Sequence, residues 1–163
     1  MSFEIDAALR ARMEREVAKY PVDQKQSAVM ACLAMAQQLH GHIDTHVEKA
    51  VAAYLGMPPI AVREVSTFYN MYNQQAVGKY KLNICTNLPC QLRDGQTALE
   101  HVCKQLGVEP YGTSSDGLFT VQPSECLGAC ADAPVMLVND REMLSFMHSE
   151  RLDALIGDIR KNG

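Results

Sequence analysis

Four of the six cysteines sit in two close pairs, Cys85-Thr-Asn-Leu-Pro-Cys90 and Cys126-Leu-Gly-Ala-Cys130. Written as spacing, this is C-x4-C, thirty-five residues, then C-x3-C. Each pair follows a stretch that reads as a strand, so each lies on a loop at a strand end. Two such loops can bring four thiolates to one point. Pro89, Gly128 and Ala129 keep the loops tight and unbulky, so that backbone N–H groups can approach the sulfurs and offset their charge. Four thiolates satisfy either zinc or an iron–sulfur cluster, and spacing alone leaves both open. The plant-type [2Fe–2S] ferredoxin pattern also begins C-x4-C but needs a further Cys three residues on, where this chain has Arg93. That ferredoxin is excluded.

The remaining chemistry is defined by absences and by charge. No Gly-x-Gly, Gly-x-Ser-x-Gly or Cys-x-x-Cys occurs, so a dinucleotide fingerprint, a phosphate loop, a hydrolase elbow and a thioredoxin-type redox pair all go unplaced. The 163 residues carry 15 Lys and Arg against 19 Asp and Glu, a net charge of −4, which argues against a nucleic-acid binder. The longest apolar run, Ala28 to Ala36, is far short of the roughly 20 residues that cross a bilayer. The first twenty residues mix both charge signs and match neither a secretory signal nor a transit peptide. A cytosolic setting is therefore expected, in which thiols stay reduced and serve metal or redox roles.

Two kinds of element must position these residues. From Glu4 to Tyr72 the periodicity is helical. Ile5, Leu9, Met13 and Val17 share one face ahead of Pro21, and Val29, Cys32, Leu33 and Ala36 share another ahead of Gly41. Thr45-x-x-Glu48 reads as a capping box before Val47, Val51 and Leu55, with Gly56 beyond. Pro58 or Pro59 opens a fourth helix carrying Ile60, Val62, Val65 and Phe68. After Gly78 the pattern changes. Tyr80–Cys85 and Leu118–Gln122 read as strands, Thr97–Leu106 as a helix stopped by Gly107, and Pro134–Val138 with Glu142–Phe146 as a hairpin about Asn139-Asp140. A last helix from Ser149 buries Leu152, Leu155, Ile156 and Ile159. The expected fold class is α/β: a four-helix region over 1–76, then a mixed-sheet domain over 77–163.

Taken together, the two cysteine loops, Val65-Ser-Thr-Phe-Tyr69, Gly56-Met-Pro-Pro-Ile-Ala-Val62, Gly78-Lys-Tyr-Lys81 and Ala133-Pro134 behind the second loop carry a specific likeness. From about residue 10 onward the chain resembles the thioredoxin-like [2Fe–2S] subunits of respiratory NADH–quinone oxidoreductase. Where many of those relatives have Gly-Trp before the third helix, this chain has Gly41-His42. The resemblance implies a thioredoxin-like [2Fe–2S] ferredoxin domain whose ligands are Cys85, Cys90, Cys126 and Cys130. It implies one-electron transfer at a centre of charge about −2 that becomes about −3 on reduction, hence a low potential. It also implies partners: a subunit holding FMN, NADH and a [4Fe–4S] cluster, and an iron–sulfur-rich subunit nearby. The chain would then be one subunit of an oxidoreductase, not catalytic alone, placed peripherally on the cytoplasmic face of the bacterial inner membrane. Small diaphorase subunits of NAD-linked hydrogenases or formate dehydrogenases share the pattern. A four-cysteine zinc interaction module is the alternative without redox chemistry.

Other conspicuous residues have plainer readings. Cys32 and Cys103 fall on apolar helix stripes and read as core. Met30, Met35, Met57 and Met71 read as core filler, and Phe68 and Tyr69 as core, although the resemblance gives their segment a part in holding a partner. His40, His42 and His46 form a loose group; His42 and His46 are four apart, but no third ligand or HExxH glutamate accompanies them, so the group reads as surface.

Overall fold

A computed structural model describes residues 3–162, and the chain divides after Ala76 into two compact units. The first is helical: α1 (Ala7–Val17), α2 (Val29–His40), α3 (Thr45–Leu55) and α4 (Pro59–Phe68), with a 3-10 segment, Val22–Ala28, between α1 and α2. Its core gathers Leu9 and Met13 of α1, Cys32 and Leu33 of α2, and Val47, Val51 and Leu55 of α3 with Val62 of α4. Gly41 and Gly56 close α2 and α3 in the left-handed conformation that glycine adopts without steric cost.

The capping-box reading needs correction. Asp44, not Thr45, caps α3, its Oδ1 accepting from the N–H groups of His46 and Val47, both at 2.9 Å. Asp outcompetes Thr because its carboxylate meets the positive end of the helix dipole as well as two orphan N–H groups. Glu48 consequently has no capping duty and turns inward. It is buried, accepts from Ser66 Oγ at 2.5 Å, and meets Arg63 Nη1 at 3.2 Å. Phe68 and Tyr69 also depart from expectation. The face of α4 that is buried carries Val62 and Ser66, so Phe68 is 80% exposed and Tyr69 and Met71 are exposed beside it.

The second unit holds β1 (Tyr80–Cys85), α5 (Leu88–Gln91), α6 (Gly95–Leu106), β2 (Phe119–Ser124), β3 (Met136–Val138), β4 (Glu142–Leu144) and α7 (Ser149–Asn162). The sheet order is β2-β1-β3-β4, with β1 and β2 parallel and the other pairs antiparallel. A parallel pair requires a crossover, and α6 supplies it. One sheet face, Leu82, Ile84, Phe119, Val121, Met136 and Val138, packs with Leu99 and Val102 of α6 and Leu152 and Ile156 of α7. Strand alternation sends Lys81, Asn83 and Cys85 to the other face. There Asp140, in the turn where both Asn139 and Asp140 have positive φ, pairs with the buried Lys81 at 2.6 Å and accepts from Asn83 at 2.7 Å. Both polar strand residues are thus satisfied. The mixed α/β class with a helical N-terminal region agrees with expectation.

Candidate metal centre

Cys85 is the last residue of β1, wholly buried, with its N–H bonded to the Val135 carbonyl at 3.1 Å. Cys90 lies on α5, which Pro89 helps to start, and is 1% exposed. Cys130 follows Gly128, whose φ of +77° turns the second loop inward, and is half-buried; Cys126 is exposed on the same loop. Cys85 and Cys130 are the thiols near enough to Cys90 to perturb it. The loops after β1 and β2 therefore converge, bringing Cys85, Cys90 and Cys130 together, while Cys126 lies outside that set. Burial, reinforced by hydrogen bonding and charge from Cys85 and then by Cys130, pushes the Cys90 thiol up to about 12. A buried thiol so reluctant to ionise becomes a thiolate only when cationic metal takes the proton's place.

The surroundings keep the loops in that position. Cys85, Cys90, Ala133 and Val135 form an apolar cluster, with Leu127 and Ala129 packed against it. Gly95 opens α6 directly beneath the first loop: a Cβ there would stand 2.6 Å from the Cys85 carbonyl oxygen and 2.8 Å from that of Cys90. Arg93, the residue standing where a plant-type ferredoxin has its third ligand, spans the two loops. Its Nη1 donates to the carbonyls of Cys130 at 3.2 Å and Ala131 at 2.6 Å. Asn87 Nδ2 makes a second bridge, to Glu125 at 3.2 Å. Ser124 pairs in register with Cys85 on β1 and projects to the same sheet face. Its buried hydroxyl has no hydrogen-bond partner.

This donor set fits a two-iron cluster better than a single zinc. Tetrahedral zinc with bonds near 2.3 Å holds its sulfurs only about 3.8 Å apart. Among the described residues, no three of these cysteine sulfurs lie within 4.8 Å of one another. The wider spread of the sulfurs, the apolar wall and an orphaned hydroxyl able to donate to sulfur suit a [2Fe–2S] cluster.

The sequence as a whole decides the family. The model of the thioredoxin-like [2Fe–2S] ferredoxin family matches residues 13–160. The chain belongs to that family. Among relatives, it is 38% identical over 152 residues to an NADH-quinone oxidoreductase E-type subunit of Rhizobium meliloti, the one numbered 2, covering 93% of this chain and 89% of that one. It is 36% identical over 148 residues to NADH-quinone oxidoreductase subunit 2 of Thermus thermophilus, covering 91% and 82%. With the E-type subunit of Rickettsia conorii it shares 41% over 128 residues, 78% of this chain and 77% of the relative. These relatives are subunits of an oxidoreductase complex. A solved NAD+-reducing [NiFe]-hydrogenase, in its H2-reduced state, shares the fold with a TM-score of 0.69 at 21% identity. That match covers 83% of this chain but only 22% of the hydrogenase chain. Membership of this family implies a [2Fe–2S] cluster.

Arg93 and Ser124 escaped sequence reasoning. Arg93 gave no local signal because its contacts are to backbone carbonyls of another loop. Ser124 could have been found from its place opposite Cys85 once the strands were paired. Cys103, read as core, is only half-buried on α6. Arg93→Ala is expected to leave the fold intact but to speed loss of iron to an external chelator several-fold, because the clamp on the second loop is gone. Bleaching of the visible absorption under excess chelator reads this out, and an unchanged rate would show that Arg93 does not hold the loop.

Proposed function

We propose that this chain is the one-electron carrier of a respiratory NADH–quinone oxidoreductase, the counterpart of the E-type subunits it is similar to, with Cys85, Cys90, Cys126 and Cys130 as cluster ligands. The observation that carries it is the convergence of the β1 and β2 loops, with Cys90 against both Cys85 and Cys130. When bound, a [2Fe–2S] cluster supplies transfer of one electron at a time. The chain's own residues hold it: Gly95 lets α6 seat beneath the first loop, and Arg93 ties down the second. Apolar side chains keep water away from Cys85 and Cys90. Residues 77–163 form the cluster domain. Identities of 36–41% with respiratory subunits support that parent complex over a hydrogenase, where likeness at 21% speaks to fold alone.

Residues 1–76 serve as the docking region for the partner that binds FMN and NADH and carries a [4Fe–4S] cluster, with the iron–sulfur-rich subunit nearby. The exposed Phe68, Tyr69 and Met71 support this, because adjacent solvent-facing aromatics form the kind of anchor that carries most of an interface's energy. No helix among the described residues is long and apolar enough to cross a membrane. The proposed role places the chain peripherally on the cytoplasmic face of the membrane, held there through the complex.

Phe68→Asp is expected to leave the cluster spectrum unchanged while weakening capture of the flavin subunit about thirtyfold, the loss of one anchor of about 2 kcal/mol. Full retention of that partner in a pull-down would place the interface elsewhere.

A further inference from the structure

The turn between α2 and α3 packs a second set of metal-ligating side chains into five residues, His40-Gly-His42-Ile-Asp44. His40 ends α2, Gly41 reverses the chain with φ of +89°, and Asp44 caps α3. The reversal folds His42 back over His40, their rings 4.7 Å apart between centroids. One donor atom from each of His40, His42 and Asp44 lies within 4.8 Å of the others.

The turn is held rather than loose. Ile43 is buried and its N–H bonds to the Asn73 carbonyl at 2.7 Å, while the Gly41 N–H bonds to that of Gln37 at 2.7 Å. Phe3 packs edge-on against the His40 ring at 5.4 Å. The two oxygens of Asp44 have separate duties. Oδ1 caps the helix, which orients the carboxylate; Oδ2 is left facing His40 Nε2 at 3.6 Å. That distance is too long for a hydrogen bond. It is close to the roughly 3.4 Å that separates two nitrogen or oxygen ligands on one tetrahedral ion.

We propose that His40, His42 and Asp44 form a site for a borderline divalent ion of the zinc, nickel or copper class. Two imidazoles and one carboxylate suit such ions, whereas calcium and magnesium require oxygens. Three protein ligands leave one position open to water or to a group on another molecule. The site joins the C-terminus of α2 to the N-terminus of α3 and belongs to the helical unit.

The test is calorimetric titration of the cluster-loaded full chain with Zn2+ alone, the visible spectrum being followed in parallel. One Zn2+ per chain should bind without change in the cluster absorption. His42→Ala and Asp44→Asn should each weaken binding about tenfold or more, a loss at least as large as that from removing a partner behind a ligand. Asp44→Asn is informative because asparagine still caps the helix while losing the charge. Absence of binding, binding undiminished in either variant, or binding accompanied by bleaching of the cluster would each overturn the proposal.

Discussion

Cys90→Ser is expected to abolish the coloured cluster while leaving the chain folded. Within the proposed ligand set, Cys90 is a residue whose loss no neighbour can cover. It is 1% exposed and has thiols of both loops as neighbours, so no displaced cysteine can swing into its place without unpacking Ala133 and Val135. Serine is nearly isosteric, which keeps the apolar pocket filled. Its hydroxyl, however, ionises far less readily than a thiol and is a poor partner for iron that prefers soft sulfur. Iron and acid-labile sulfide should fall from two of each per chain to near zero, with the visible absorption. Cys32→Ser is the contrasting control. Cys32 is buried in the helical unit, where surrounding apolar groups push its thiol up to about 11, and its loss should leave iron content unchanged. A Cys90→Ser protein that retained two irons would remove Cys90 from the ligand set.

The second large effect concerns two glycines of opposite character. Gly95 opens α6 and Gly157 lies inside α7, and helix propensity alone would have alanine stabilise either helix by up to about 1 kcal/mol. At Gly157 nothing lies within 4 Å of an added Cβ, so Gly157→Ala should follow propensity and raise stability. At Gly95 the Cβ would meet two backbone carbonyl oxygens at 2.6 and 2.8 Å, and backbone cannot rotate aside as a side chain can. Gly95→Ala must therefore push α6 away from the loop that holds Cys85 and Cys90. A loss of about 2 kcal/mol, in the range of overpacked cores, is expected, together with faster cluster loss. Denaturant titration of both variants reads the two signs. Stabilisation at Gly95 would show that the loop yields freely and that the close seating of α6 has no part in holding the site.

How much of this the sequence disclosed follows from the range of the forces involved. The strand Tyr80–Cys85 and the stops at Gly41, Gly56 and Gly107 were legible because alternation and left-handed turns are local properties. The cysteine loops were legible because a spacing survives translation into a strand-end geometry. Helix faces were harder. Periodicity on α4 grouped Phe68 with Val62, yet burial there is decided by Ser66 bonding to Glu48, a partner 18 positions away. The short α5 and the 3-10 turn Cys130–Asp132 were missed because three or four residues carry no period. Arg93 and the Asp44–His40–His42 grouping depend on where chain reversals bring side chains and carbonyls. Such contacts have no signature until the fold is known.

The most direct test of the central claim is low-temperature EPR of the anaerobically purified chain before and after dithionite. The protein is expected to be red-brown, absorbing between roughly 400 and 600 nm, and EPR-silent when oxidised. On reduction it should gain a rhombic spin-half signal integrating to one electron per chain, and this signal should be absent from Cys90→Ser. A colourless chain holding one zinc on its cysteines, with no signal after reduction, would contradict the account and make the converging loops a structural site.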